Sequence, residues 1–415
     1  MKIKEGTSEK NLIIRKEGLA EFYLHEVDKD SIPSKSMNVF YNKKMEINRD
    51  ISSLAIKAYS KLYDQDLVIV DSMAASGIST IRLLLECENI EKVYINDINP
   101  VAVELIKKNI SLNKMDADRD HIEISRKDAN FLLSEIAQES HINPDNDSRK
   151  PNVISIDPFG TPNLYVNSAF NAIQRSNGLI CITATDTAVL FGIRPKACIR
   201  KYLSKPLHVD YCKEIGARIL ISFISKMANV NKLGILPLLT FYSNHFIRIF
   251  ALTFKDQKQI SSFFNSYGYI IHCKRCNYRK VIESNILALH DECPNCKNNK
   301  KMDYAGPIWI NKLHDENFVK QMILFNENVN FTNKKKIIKI LNFVLDEINM
   351  PLSYFNIHKL SQELKLQEVP KMDDVINLLK EKGFKASRTH FDYTSIKTNM
   401  ELESIQKILL ETYKK

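Results

Sequence analysis

Short branched apolar runs alternate with helical patterns through the first two thirds of this chain, and that alternation is the strongest constraint on its fold. Leu67 to Val70 reads LVIV, as a strand buried on both faces must. A helical stretch follows at Ile78 to Glu86. A second strand at Lys92 to Ile95 then leads into a helix opening at Pro100, which completes a βαβ unit. Further strands are expected at His121 to Ser125, Val153 to Ile156, Leu179 to Thr183 and Phe246 to Phe254. Strands and helices in this order predict a mostly parallel sheet covered on both sides.

The polar, proline-containing segment His141 to Pro151 reads as a surface loop inserted before a strand. The alternation stops near Lys255 to Ile271. Beyond it, helices at Lys334 to Asn349, Asn356 to Lys365 and Asp373 to Lys382 and a strand at Phe384 to His390 suggest a small α+β domain. The expected division is residues 1–265 and 266–415, since 415 residues exceed what one core usually serves.

The joint between the first strand and its helix, Asp71-Ser72-Met73-Ala74-Ala75-Ser76-Gly77, is built of small residues that let a ligand approach the backbone. It lacks the G-x-G-x-x-G spacing suited to a dinucleotide pyrophosphate. Asp97 ends the next strand, where a carboxylate can accept both hydroxyls of a ribose, and Asp128-Ala129 follows the third, where an adenine can be contacted. This ordered series suits S-adenosylmethionine, which carries ribose and adenine but no phosphate.

The fourth strand runs into Asp157-Pro158-Phe159-Gly160. A carboxylate there can accept the proton of an exocyclic amine as it is methylated, and Phe159 can stack on an extruded base. Such chemistry is open to a DNA amine methyltransferase as well as an RNA one. A non-catalytic RNA-binding protein with a vestigial methyltransferase fold is the third reading.

Together these motifs resemble one family, the tRNA (guanine-26, N2)-dimethyltransferases of archaea and eukaryotes. The resemblance runs over most of the chain, through VFYNKKMEINRD (Val39 to Asp50), DSMAASGISTIR (Asp71 to Arg82), NDINPVAVELIKKN (Asn96 to Asn109), IDPFGTP (Ile156 to Pro162), TATDTAVLFG (Thr183 to Gly192), RKYL, GARIL and AGPIW. Lys43 stands where the family usually has Pro, and Ser79 where it has Arg; neither is a group the chemistry requires. The resemblance implies a Rossmann-like class I S-adenosylmethionine-dependent methyltransferase domain with a smaller zinc-containing α+β C-terminal domain. It implies that Arg49, Arg82, Asp97, Asp128 and Ala129 contact S-adenosylmethionine, beside Asp71 and Gly77 of the small-residue loop. It also implies that Asp157 is the catalytic carboxylate, flanked by Pro158 and Phe159, and that His245 and Arg248 lie close to the active site. The expected product is a guanine-26 methylated once or twice on N2.

Cys273-x-x-Cys276 and Cys293-x-x-Cys296, sixteen residues apart, match a four-thiolate structural zinc site. Cys87, Cys181, Cys198 and Cys212 read as buried free thiols. A formal charge of +10 favours a polyanionic partner, here tRNA. Lys385, Arg388 and His390, among the aromatics of GFKASRTHFDYTSIKT, are candidate tRNA contacts. No run approaches the ~18 apolar residues of a membrane span, and Met1 to Lys10 is polar, so a cytoplasmic protein is expected. A monomer is the expected working unit.

Overall fold

The computed structural model describes residues 12–26, 37–117, 120–142, 150–283, 292–298 and 302–413. The polar amino terminus and most of the 141–151 loop lie outside these residues. The chain divides into two compact units, Met1–Thr183 with Leu252–Phe254 and Gln321–Ile337, and Ala184–Ala251 with Lys255–Lys320 and Ile338–Lys415.

The first unit opens with an antiparallel hairpin, β1 (Leu12–Glu17) and β2 (Ala20–His25). Its turn needs glycine: Gly18 has φ of +56°, and a Cβ there would lie 2.0 Å from Glu86 Oε1. Helix α1 (Glu46–Tyr63) follows, then β3 (Leu67–Asp71), α2 (Ile78–Glu86), β4 (Ile90–Asn96), α3 (Pro100–Leu112) and β5 (Ile122–Ser125). After these come α4 (Ala129–Ile142), β6 (Val153–Ile156), α5 (Val166–Ala172) and β7 (Leu179–Ala184).

Strand β3 pairs in parallel with β4 and β6, β4 with β5, and β6 with β7. Every residue of β3 and β7 is buried, the reason both read as continuous apolar runs. Each such Val, Leu or Ile contributes roughly 1.5–3 kcal/mol by leaving water. The start of α3 is set locally, by Pro100 in its first turn and by the Asn99 side chain accepting from Val101 N.

The second unit begins with the short α6 (Thr187–Leu190), α7 (Pro195–Tyr202) and the long α8 (Cys212–Val230). Strands β8 (Gly234–Ser243) and β9 (Phe246–Phe254) follow, and the sheet order is β5-β4-β3-β6-β7-β9-β8. After α9 (Gln257–Ser262), β10 (Tyr267–His272), β11 (Arg279–Ile282) and β12 (Asp303–Trp309) form an antiparallel sheet ordered β11-β10-β12. The chain ends with α10 (Glu316–Glu327), α11 (Lys334–Glu347), β13 (Phe355–Asn356), α12 (Ile357–Glu363), α13 (Met372–Glu381), β14 (Ala386–Arg388), β15 (Ser395–Thr398) and α14 (Leu402–Tyr413). A core of Ile357, Val375, Leu379, Ile396, Ile405 and Leu409 holds this last part.

The mixed α/β fold with a central parallel sheet is therefore the expected one. The expected boundary at residue 266 falls inside the second unit, while Gln321–Ile337 belongs to the first. None of the described helices is long and apolar enough to cross a membrane.

Candidate functional site

The parallel strands deliver the expected acidic residues to their carboxyl ends. Asp71 closes β3, 7% exposed, and its Oδ2 accepts from Thr80 Oγ1 at 2.5 Å. The loop beyond it bends through two left-handed residues, Ala75 (φ +51°) and Gly77 (φ +75°). A Cβ on Gly77 would lie 3.1 Å from Ile106 Cγ1, a tight contact between the start of α2 and α3, and the positive φ favours glycine there as well.

Asp97 follows β4 and is half-buried. Its Oδ2 accepts from Ala75 N at 2.8 Å and its Oδ1 from Asn99 N at 2.9 Å. Each oxygen keeps a lone pair for a diol. Beside it Asn96, fully buried, donates to Ser72 O and Lys127 O and accepts from Ser125 Oγ and Lys127 N, locking three strand ends together. Asp128 caps α4 by accepting from Asn130 N and Phe131 N, with Ala129 buried behind it. Ile98 and Phe131 are 65% and 57% exposed, apolar surface next to the two acidic residues that the sequence pattern assigns to ribose and adenine. These acceptors and the apolar surface beside them fit the ribose and adenine of S-adenosylmethionine. Neither Ile98 nor Phe131 stood out in the sequence, although Ile98 is adjacent to Asp97.

At the end of β6, Asp157 is half-buried and Pro158 buried, while Phe159 is 52% exposed with its edge against Phe40 at 5.6 Å. Asp157 Oδ2 accepts from Asn48 Nδ2 at 3.2 Å. Gly160, φ +107°, has open space where a side chain would project.

Arg49 and Arg82 are both held by Glu17 of the hairpin. Arg49 Nε and Nη2 lie 2.6 and 2.8 Å from its two oxygens, a bidentate pair. Arg82 Nη1 reaches Glu17 Oε1 at 2.9 Å and Asp50 Oδ1 at 2.7 Å, and its Nε reaches Glu86 Oε1 at 2.9 Å. Phe331 stacks under the Arg82 guanidinium at 4.9 Å. Burial alone would raise the Glu17 carboxyl, but Arg49 and Arg82 outweigh it and hold it below its ordinary value. Arg49, read locally, looks like a solvated charge; its partner is 32 residues away.

The two cysteine pairs form matching turns. Cys273 N bonds Tyr278 O and Asn277 N bonds Cys273 O, while Cys293 N bonds Asn298 O and Lys297 N bonds Cys293 O. Asn277 and Lys297 are both left-handed. The sulfurs of Cys273 and Cys296 lie 3.8 Å apart and those of Cys276 and Cys293 3.7 Å apart, all four within 4.8 Å. A tetrahedron with Zn–S bonds of ~2.3 Å has edges of about 3.8 Å, so the cage fits a structural zinc. Cys87, Cys181 and Cys198 are buried as expected, whereas Cys212 is half-buried.

The remaining candidates sit in the second unit. His245 is half-buried in the two-residue turn between β8 and β9, and Arg248 is 3% exposed with its guanidinium 5.1 Å over Phe250. Lys385 is exposed. Arg388 donates to Tyr393 O at 3.0 Å and lies over Phe343. His390 is 3% exposed, which removes it from any surface an RNA could touch: its Nδ1 bonds Glu347 Oε1, and Thr389 Oγ1 donates to Glu347 Oε2 at 2.6 Å. His314 joins this buried group and could complete a metal-ligand trio with Glu347 and His390. The surrounding charges already balance, Glu214 and Glu347 against Arg218 and Lys397. A divalent cation would add uncompensated buried charge, so the trio is read as a packing network.

Comparison with known proteins agrees with this geometry. Residues 21–410 match the family described as N2,N2-dimethylguanosine tRNA methyltransferase. A tRNA (guanine(26)-N(2))-dimethyltransferase of Methanosphaera stadtmanae is 35% identical over 400 residues, 96% of each chain. A tRNA (guanine(26)-N(2)/guanine(27)-N(2))-dimethyltransferase of Aquifex aeolicus is 31% identical over 402 residues, again 96% of each. The solved structure of Trm1 from Pyrococcus horikoshii with S-adenosyl-L-methionine superposes with a TM-score of 0.79 at 30% identity, covering 95% of this chain and 99% of that one. On this combined ground the chain belongs to the N2,N2-dimethylguanosine tRNA methyltransferase family.

Proposed function

We propose that this protein transfers methyl groups from S-adenosylmethionine to the exocyclic N2 of guanine 26 in tRNA. The observation that carries the reading is the Asp157 carboxylate, half-exposed at the end of β6 beside the outward-facing Phe159. It shares the carboxyl edge of one parallel sheet with Asp97 and the Asp71–Gly77 loop. The relatives' names supply the position of the base, and the family supplies tRNA.

The cofactor supplies a methyl group activated on a sulfonium. Asp97 would hold the ribose hydroxyls and Asp128 and Ala129 would meet the adenine, with Ile98 and Phe131 as exposed apolar surface beside them, and the small-residue loop from Asp71 to Gly77 would take the remainder. Arg49 borders the cofactor. Arg82 acts through it, fixing Glu17 so that Glu17 in turn aims Arg49. The guanine amine is a poor nucleophile because its lone pair is delocalised into the ring. Asp157 accepts its N–H, favours the reactive geometry and receives the proton as the carbon–nitrogen bond forms. Phe159 stacks on the extruded base.

In this reading His245, Lys385 and Arg388 are the tRNA contacts of the second unit, whereas Arg248, 3% exposed, is too buried to serve as one. His390 is left out of the substrate surface because it is buried. The zinc cage stabilises the second unit. One chain supplies the loop, the carboxylate and the cage, so we take the working unit to be a monomer in the cytoplasm, where its tRNA is. Mass spectrometry of nucleosides from unmodified tRNA treated with enzyme and cofactor tests the whole: N2-methylated guanosine mapped to position 26 supports it. Label on duplex DNA alone, or on no nucleic acid, overturns it.

A further inference from the structure

Asn48 lies in α1, 2% exposed, and reaches across 109 residues of sequence to the catalytic loop. Because a carboxylate can only accept, the amide must present its nitrogen to Asp157 Oδ2, which fixes the orientation of the whole group. Among the described residues it is the only hydrogen-bond donor to that carboxylate. The other end of the amide is unsatisfied: Asn48 Oδ1 is buried with no partner. A buried orphan acceptor destabilises a fold, and asparagine is a weak helix former, so an aliphatic residue would suit this position better on stability alone. The side chain therefore makes local sense only through the bond it gives to Asp157.

We propose that Asn48 is a positioning residue for methyl transfer. It commits Oδ2, fixes the carboxyl plane, and leaves Oδ1 as the oxygen that accepts the guanine amine. This rests on the reading of Asp157 given above. It also bears on the extent of methylation. After one transfer the nitrogen carries a single N–H, which must return to the same oxygen with the methyl group turned aside. An unrestrained carboxylate rotates about its Cβ–Cγ bond and presents either oxygen, so the second transfer depends on Asn48 more than the first.

The test compares the wild type with Asn48→Ala and Asn48→Leu, the latter filling the space should alanine weaken α1. Both are expected to lower kcat by about 10- to 100-fold, as for a misplaced catalytic group. The KM for tRNA and the Kd for S-adenosylmethionine stay near wild-type values, and the share of monomethylated over dimethylated guanosine rises. A folded variant with wild-type kcat and product ratio overturns the proposal, as does a loss confined to KM or to thermal stability. If the wild type itself leaves tRNA unmodified, the parent reading fails instead; if it is active and the variants match it, this inference alone fails.

Discussion

The guanidinium of Arg82 is held 2.7 Å from the carboxylate of Asp50, with both side chains 1% exposed. Glu17 and Glu86 complete its shell, so one cation serves three buried carboxylates. Removing one partner of such a group leaves charge uncompensated in a dry interior, at a cost of about 3–5 kcal/mol. Arg82→Met is expected to lower the stability of the first unit by that order in chemical denaturation. Because Glu17 then loses one of the groups that restrain it, affinity for S-adenosylmethionine is expected to fall through Arg49.

Gly77 tests the cofactor loop from the backbone side. Its positive φ and the 3.1 Å approach to Ile106 both resist a side chain. Gly77→Ala is expected to cost roughly 1–2 kcal/mol in strain and to weaken S-adenosylmethionine binding about tenfold, read by calorimetry. Unchanged affinity would place the cofactor elsewhere.

The cysteine cage predicts one zinc per chain by elemental analysis. Cys293→Ser, which removes a buried ligand, is expected to lose the metal and lower the thermal midpoint, because closed four-thiolate sites stabilise the fold that supplies them. Metal-free protein with an unchanged midpoint would contradict this assignment.

His314 predicts a pH dependence. Burial, reinforced by the neighbouring His390, holds its imidazole well below the ordinary 6.5. Thr240 N donates to its Nδ1, which fits the neutral ring. As pH falls below 6.5 the unfolded chain takes up a proton that the folded chain refuses. Stability is therefore present above that pH and lost below it, with a slope of up to about 1.4 kcal/mol per pH unit from this residue. Urea midpoints measured between pH 7.5 and 5 should show this slope, and His314→Gln should reduce it.

Much of the site could be read from local pattern. LVIV, the small-residue loop, Asp97, Asp157 and the paired C-x-x-C turns each carry their signal within a few residues, because strand burial, turn geometry and zinc ligation are local requirements. What escaped depends on distant partners. The buried charge of Arg82 is explained by Glu17, 65 residues earlier in a hairpin, and Asn48 acquires meaning from Asp157. His390 sits in a basic, aromatic stretch that reads as an RNA surface, yet Glu347, 43 residues earlier, draws it into the interior. Likewise the membership of Gln321–Ile337 in the first unit follows from Phe331 under Arg82 and from Asn333 Nδ2 donating to Asp50 Oδ2 at 2.9 Å, contacts that periodicity does not encode.

The rate of methyl transfer to tRNA by Asp157→Ala, measured at saturating substrate and cofactor, tests the central claim most directly. The account predicts a folded protein with near wild-type affinity for S-adenosylmethionine and a kcat reduced by about 10²- to 10⁴-fold, the usual worth of a positioned general base. A kcat within a few-fold of wild type would contradict it.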